Sequence, residues 1–278
     1  MTSLLAGPIV ITPAEFQAVS EFLHRHTGIR LSPGKESLVM GRLDRRLRAL
    51  GLSSYTQYLR LLSAPQQTDE LRLAIDQLTT NETFFFREPQ HFEYLGRVIA
   101  PAHPAGRPLR LWSAASSSGE EAYTAAVVLS EAMPDGAWEI VGTDISSRMV
   151  AGARAGLYPI TATERIPRPL LQKYFRRGRD EYHGLILVDR ALRARTNFQH
   201  ANLLDDLRRL GRFDVIMLRN VMIYFENATK AGLIDRVQHM LQPGGHLIVS
   251  LSETLNGIPS RLRAVQPSIY RLPEAAHG

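Results

Sequence analysis

The side chains best equipped for chemistry in this sequence gather where short apolar runs end. Ala115-Ser116-Ser117-Ser118-Gly119-Glu120-Glu121 follows the run from Leu109 to Ala114. Small residues at such a strand-to-helix turn let the backbone approach a ligand closely. One glycine is too few for a dinucleotide fingerprint, and two glutamates stand where a pyrophosphate would lie. Carboxylates repel a diphosphate but attract an ammonium and a sulfonium, which favours S-adenosylmethionine over NAD or ATP. The alternative is that Glu120 and Glu121 merely complement the dipole of a helix expected to begin near Ala122. A second run, Trp138 to Val141, leads to Asp144, 25 residues after Gly119. That is near the spacing at which an acid meets ribose hydroxyls in nucleotide-binding sheets, though Asp144 could also cap a helix beginning near Ser147. A third strand, Phe213 to Asn220, ends at Arg219-Asn220, and Pro243-Gly244-Gly245 turns into a fourth, His246 to Leu251. All these ends fall on the carboxyl edge of one sheet, where open α/β folds bind ligands.

The elements that must position these residues follow from the hydrophobic patterning. From Thr12 to about Thr79 the period is helical: Phe16, Val19, Phe22 and Leu23 share one face, and Val39, Leu43, Leu47 and Leu50 share another. Beyond it, short apolar runs alternate with helical segments, which predicts an open, mostly parallel sheet with helices on both faces. Pro101, Pro104, Gly106 and Pro108 mark a linker. Tyr174 to Phe198 reads as a small antiparallel excursion that must lean on the main sheet for a core. The division expected is a helical domain over 1–80, an interdomain segment over 81–108, and a cofactor-binding domain over 109–278 with an insert at about 174–198. Of 278 residues, 44% are hydrophobic and 22% charged, an ordinary globular balance. No run reaches the roughly 18 apolar residues of a membrane span, and the start lacks a basic signal-peptide region, so a cytoplasmic protein is expected. Cysteine is absent, which removes disulfides and thiolate chemistry, and none of the nine histidines sits in a metal-binding pattern, so no metal is expected. The net charge of +6 comes from arginines spread along the chain with no basic, aromatic-interleaved stripe, so an acidic protein surface suits it and nucleic acid does not.

Read together, these motifs resemble a known family. Thr79-Thr80-Asn81-Glu82-Thr83-Phe84-Phe85-Phe86-Arg87-Glu88 resembles the signature of CheR, the chemotaxis-receptor glutamate methyltransferases. Trp112-Ser113-Ala114-Ala115 with Ser118-Gly119-Glu120-Glu121, Gly142-Thr143-Asp144-Ile145, Asn202-Leu203, Arg219 to Phe225, and Leu241-Gln242-Pro243-Gly244-Gly245 match in order and spacing. The resemblance implies an α/β fold: a class I, Rossmann-like S-adenosylmethionine-dependent methyltransferase domain with an N-terminal all-α domain and a small inserted antiparallel β-subdomain. It implies transfer of a methyl group to glutamates of chemoreceptors (methyl-accepting chemotaxis proteins), leaving S-adenosylhomocysteine. Asn81, Thr83 and Arg87 would contact the cofactor, Glu121 its amino-acid end and Asp144 its ribose. Asn202, Leu203, Arg219 and Asn220 would line the adenine side and its surroundings. Ser116-Ser117-Ser118 departs from the family, whose members often carry a cysteine and a threonine there. A catalytically silent, cofactor-binding receptor adaptor and a methyltransferase of the same fold with another substrate are the rival readings.

A glutamate, with a reference pKa near 4.3, is ionised at neutral pH and needs no general base, so alignment is the work left to the enzyme. Tyr224 resembles the family's active-site tyrosine; the alternative is a core tyrosine with its hydroxyl at the surface. Arg97 and Arg107 are both candidates to neutralise the incoming carboxylate. Phe84-Phe85-Phe86 is expected to pack between domains. On the helix from Glu36 to Leu50, Arg42, Arg45 and Arg46 flank an apolar stripe and are candidate contacts for the acidic helical bundle of a receptor's cytoplasmic domain; a merely solvated face is the alternative. The β-subdomain is a further candidate, for a receptor's C-terminal peptide. No direct membrane insertion is expected.

Overall fold

A computed structural model describes residues 9–274. The described residues divide into two compact units: one runs to Thr80 and includes Tyr224–Glu226, and the other comprises Asn81–Ile223 and the chain from Asn227 on.

In the first unit, Thr12 starts α1 (Pro13–Thr27) with a reciprocal capping box. Its hydroxyl accepts from the Glu15 N–H while Glu15 returns to the Thr12 N–H. The Glu15 carboxylate also accepts from the Thr56 N–H at 3.0 Å, tying the start of α1 to that of α3 (Tyr55–Leu62). With α2 (Glu36–Ala49) and α4 (Thr68–Leu78) these helices enclose Phe16, Val19, Leu23, Val39, Leu43, Leu47, Tyr55 and Tyr58. The helical period read from the sequence is thus the core period.

Two of the three arginines expected to meet a partner are occupied at home. Arg46 grips Glu70 through two nitrogens, and the Tyr58 hydroxyl donates to the same carboxylate at 2.7 Å. Arg42 donates to the Leu78 carbonyl at 2.6 Å and to the Thr80 hydroxyl at 2.9 Å. The acceptors, Glu70 and Leu78 of α4 and Thr80 just after it, are ones that the sequence of α2 alone could not reveal. Arg45 is exposed.

The second unit is built on a seven-stranded sheet of order β6-β2-β1-β7-β8-β10-β9. Its strands are β1 (Leu109–Ser113), β2 (Trp138–Asp144), β6 (Thr196–His200), β7 (Phe213–Leu218), β8 (Leu241–Val249), β9 (Arg263–Gln266) and β10 (Ile269–Arg271). The first five in that list run parallel, and β10 and then β9 complete the sheet antiparallel. The order reverses between β1 and β7, the switch point at which such sheets open a crevice. Gln242 to Gly245 form a bulge inside β8 rather than a turn before it: register jumps from Phe213–Leu241 to Val215–His246. Gly245 is needed there, because a Cβ would stand 2.8 Å from the Gln242 carbonyl oxygen.

Residues 81–108 belong to this unit. α5 (Pro89–Tyr94), a π-helical turn (Leu95–Ile99) and α6 (Ala100–Ala102) bury Phe92, Leu95 and Ile99 in its core beside α7 (Glu120–Ala132). The Pro101 to Pro108 stretch is therefore not an interdomain linker; it runs within this unit from α6, which contains Pro101, into β1. Phe85, expected between domains, lies in the same core, with its ring centroid 5.0 Å from Tyr158 and 5.3 Å from Phe175.

The insert also has different bounds from 174–198. Its sheet is β3 (Leu157–Pro159), β5 (Leu185–Val188) and β4 (Phe175–Arg177), in the order β3-β5-β4, whereas Thr196–His200 pairs with β2 in the main sheet. β3 is only three residues long, too short to show alternation. The remaining helices are α8 (Ser147–Ala155), α9 (Arg168–Tyr174), α10 (Arg190–Ala194) and α11 (Asn227–His239). Among the described residues, no helix is long and apolar enough to cross a membrane.

Candidate active site

The turn after β1 is held open by backbone geometry that its small residues permit. The Ala114 N–H donates to the Met217 carbonyl and the Ser116 N–H to the Thr143 carbonyl, both at 2.8 Å, so the chain leaving β1 is pinned to both neighbouring strands. Ser117 then adopts a left-handed φ of 47° and Gly119 one of 99° before α7 begins. A Cβ on Gly119 would stand 2.9 Å from Ala153 Cβ and 3.0 Å from the Tyr158 hydroxyl. Of the six non-glycine residues with left-handed φ among the described ones, Phe86, Glu88, Ser117 and Asn220 lie in the segments that converge here. Such conformations cost on the order of 1 kcal/mol each and concentrate at functional sites.

Asp144, at the end of β2, accepts from the Ser117 N–H at 2.8 Å and from the Ser146 N–H at 2.9 Å. It joins the loops after β1 and β2. The helix cap is Ser146, which accepts from the Met149 N–H at 3.3 Å, so Asp144 is not the N-cap of α8. Glu121 accepts from the Ser113 hydroxyl at 2.7 Å and from Arg219 at 2.8 Å, while Glu120 accepts from the Ser118 hydroxyl at 2.7 Å. Burial raises the pKa of both glutamates; Arg219 and Ser113 oppose this at Glu121, and Ser118 opposes it at Glu120.

Arg219, just past β7 and 4% exposed, is the centre of the cluster. Its Nη1 reaches Glu121, and its Nη2 reaches the Arg87 carbonyl and Glu88 at 3.0 Å. Asn220 donates through its N–H to Glu253 at 3.0 Å and through its amide to the Ser250 hydroxyl at 2.8 Å. The Asn81 carbonyl accepts from the Ser117 hydroxyl at 2.9 Å, which brings the 81–88 segment to the same edge. Arg87 donates to the Glu82 carbonyl and lies 5.5 Å from the centroid of Phe84; Thr83 is half-buried. Asn202, following β6, accepts from the Leu204 N–H at 3.0 Å, and Leu203 beside it is buried.

Neither alternative arginine stands at this edge. Arg107 forms a bidentate pair with Asp214, whose carboxylate also takes the Arg110 N–H at 2.9 Å, at the amino ends of β1 and β7. Arg97 lines a cleft with Phe92, Val128, Glu131 and Ala132, beside the second half of α7, which runs back toward the amino edge. The expectation that Arg97 or Arg107 faces substrate is corrected accordingly. Tyr224 ends a short turn (Met222–Tyr224), and its carbonyl accepts from the Arg30 N–H at 3.2 Å within the helical unit. Sequence reasoning missed Glu88, Ser113, Ser250 and Glu253. An acid before a proline at a helix start, or one in a polar loop after a strand, looks like a cap or a solvated residue until its partners are known.

The donor set suits S-adenosylmethionine. Glu88 and Glu121 share one buried guanidinium, and Glu120, Asp144 and Glu253 lie in the loops around it, an excess of acidic groups fitted to an ammonium and a sulfonium. Two buried polar atoms at this edge, Ser116 Oγ and Arg219 Nε, have no protein partner. Among the described residues, no group of acidic and histidine side chains could hold a metal ion.

A parallel sheet with its switch point between β1 and β7, an acid closing β2 and this acidic edge define a class I S-adenosylmethionine-dependent methyltransferase. Residues 81–270 match the family profile described as CheR methyltransferase, SAM binding domain, and residues 14–79 match CheR methyltransferase, all-alpha domain. The chain belongs to the CheR methyltransferase family. It is 39% identical to chemotaxis protein methyltransferase 2 of Pseudomonas aeruginosa over 93% of each chain. It is 35% identical to a chemotaxis protein methyltransferase of Salmonella typhimurium, over 95% of this chain and 92% of that one. A Klebsiella aerogenes chemotaxis protein methyltransferase is 37% identical over 96% and 92%.

Proposed function

We propose that this enzyme methylates glutamate side chains of chemoreceptors in the cytoplasm, producing glutamate methyl esters. The observation that carries this reading is that both domains, and not the cofactor domain alone, align with chemotaxis protein methyltransferases over nearly their whole length. When bound, S-adenosylmethionine supplies an electrophilic methyl on its sulfonium.

The chain's own residues then bind and align. Glu121 receives the ammonium of the amino-acid end, and Asp144 receives the ribose hydroxyls while latching the loops around them. Asn202 and Leu203 flank the adenine, and Asn81, Thr83 and Arg87 close over the cofactor from the 81–88 segment. Arg219 and Asn220 hold these groups in place. Tyr224, four residues after Asn220 in the chain, orients the incoming carboxylate. That carboxylate is already ionised, so no base is required, and holding oxygen, carbon and sulfur in line can contribute up to about 7–11 kcal/mol.

With Arg42 and Arg46 engaged by α4, Arg45 is the member of the trio left to meet an acidic receptor helix. Strands β3 to β5 supply a second surface, for a receptor's C-terminal peptide. Incubation with methyl-labelled S-adenosylmethionine and a receptor cytoplasmic fragment, with nucleic acid as a parallel acceptor, tests the reading. Label in the receptor fragment alone is expected. Label in nucleic acid assigns another substrate, and cofactor binding without any transfer assigns an adaptor.

A further inference from the structure

Three ionisable groups meet at the carboxyl edge: Arg219, Glu121 and Glu88. Arg219 lies between the two carboxylates, 2.8 Å from Glu121 and 3.0 Å from Glu88. Glu88 is held in that position from several sides. It accepts from the Ser250 hydroxyl at 3.1 Å and from the Leu251 N–H at 3.3 Å, and its φ of 56° with Pro89 following sets its backbone in the left-handed region. Burial disfavours its charge, but Arg219 and Ser250 outweigh this and keep its pKa below the usual value. His91 stands 3.3 Å from Glu88 with its other nitrogen 2.7 Å from the Ser268 hydroxyl. Burial and Arg219 push its pKa to about 4, so it is neutral at physiological pH. The cluster therefore sets two carboxyl groups against one guanidinium, with a neutral imidazole beside them.

We propose that Glu88 is a positioning residue for the cofactor's amino-acid end: by sharing the Arg219 guanidinium, it leaves negative charge on Glu121 to receive an ammonium. This rests on the reading that Glu121 faces that ammonium. Were Arg219 paired with Glu121 alone, the two would cancel, and a cation arriving at Glu121 would meet a neutral pair. With Glu88 taking part of the guanidinium's donors, the excess negative charge sits within one buried cluster, where screening by water is weak. The same contact fixes the rotamer of Arg219 and, through the Arg87 carbonyl, the end of the 81–88 segment.

Two ligands separate this role from a structural one. S-adenosylhomocysteine carries the amino-acid end; 5′-methylthioadenosine keeps the adenosine and the thioether without it. Titration calorimetry on wild type, Glu88→Gln and Glu121→Gln is expected to show about tenfold weaker S-adenosylhomocysteine binding in both variants, with 5′-methylthioadenosine affinity unchanged. Should Glu88→Gln not fold, Glu88→Asp serves: its withdrawn carboxylate cannot reach Arg219 and Ser250 together, and a two- to threefold selective loss is expected, smaller because its charge stays in the cluster. A variant at position 88 that binds S-adenosylhomocysteine as the wild type does, while Glu121→Gln loses it selectively, overturns the proposal and leaves the Glu121 reading standing. Equal loss of both ligands on changing Glu88 makes the residue structural and also overturns it. Wild-type S-adenosylhomocysteine affinity in Glu121→Gln removes the underlying reading and the proposal together.

Discussion

Asp144 carries two backbone hydrogen bonds, from Ser117 and Ser146, in the place where a nucleotide-binding sheet keeps an acid for the ribose. Both jobs use the same carboxylate, because an ionised Asp can accept several bonds at once. Asp144→Ala is expected to weaken S-adenosylhomocysteine binding by about 1.5–3 kcal/mol, the range for a charge-assisted bond. It should also lower the melting temperature, since two N–H groups lose their acceptor. Calorimetry and thermal melts read the two effects separately; a lower melting temperature with unchanged affinity would leave Asp144 as a loop latch only. Tyr224 belongs to the chemistry in the present account, so Tyr224→Phe should reduce turnover at saturating cofactor while S-adenosylhomocysteine affinity stays near wild type. An equal fall in both would make it a packing residue.

At the scale of elements, α2 illustrates how a helix face can mislead when its neighbours are unknown. Its apolar stripe, Val39, Leu43 and Leu47, is buried as the helical period requires. Its arginines, read as a free basic face, include one that neutralises Glu70, whose side chain is 6% exposed. Arg46→Glu would place a second carboxylate against it and is expected to destabilise the helical unit by about 2 kcal/mol or more. Thermal or urea denaturation measures this, and unchanged stability would contradict the pairing. Arg46 is the first cause of the lowered Glu70 pKa, with Tyr58 adding to it against burial. A carboxylate depressed in the folded state contributes stability above its unfolded pKa and loses it as pH falls through the folded value. The unit should therefore weaken below about pH 4.5, the ordinary value for a glutamate, and Arg46→Ala should flatten that dependence. Arg45→Glu, which leaves this pair intact, should slow receptor methylation at moderate salt without altering S-adenosylhomocysteine affinity, and added salt should mimic it in the wild type. A methylation rate unaffected by Arg45→Glu would move the receptor contact to β3 to β5.

For the molecule as a whole, what could be read from the sequence was what repeats or sits at a strand end. Helical periodicity locates the all-α region, and the apolar runs that lead to the 115–121 turn, Asp144 and Asn220 locate the sheet and its ligand edge. What could not be read depended on partners far apart in the chain. Arg107 looked available until Asp214, 107 residues on, was seen to hold it. Glu88 has no role of its own in the sequence until the fold brings Arg219 and Ser250 to it. The three-residue β3 gives no alternation to detect, so the insert begins earlier than its pattern suggests, and the exposed prolines from Pro101 to Pro108 resemble a linker because the packing of Phe92, Leu95 and Ile99 before them is invisible locally.

A carboxylate acceptor yields a methyl ester, and the lability of that ester in base distinguishes it from a methylated amine. A receptor cytoplasmic fragment methylated by this enzyme with labelled S-adenosylmethionine should release its label as methanol in mild base, because a glutamate methyl ester hydrolyses there. Label that survives the same treatment is not a carboxyl ester and would overturn the glutamate assignment.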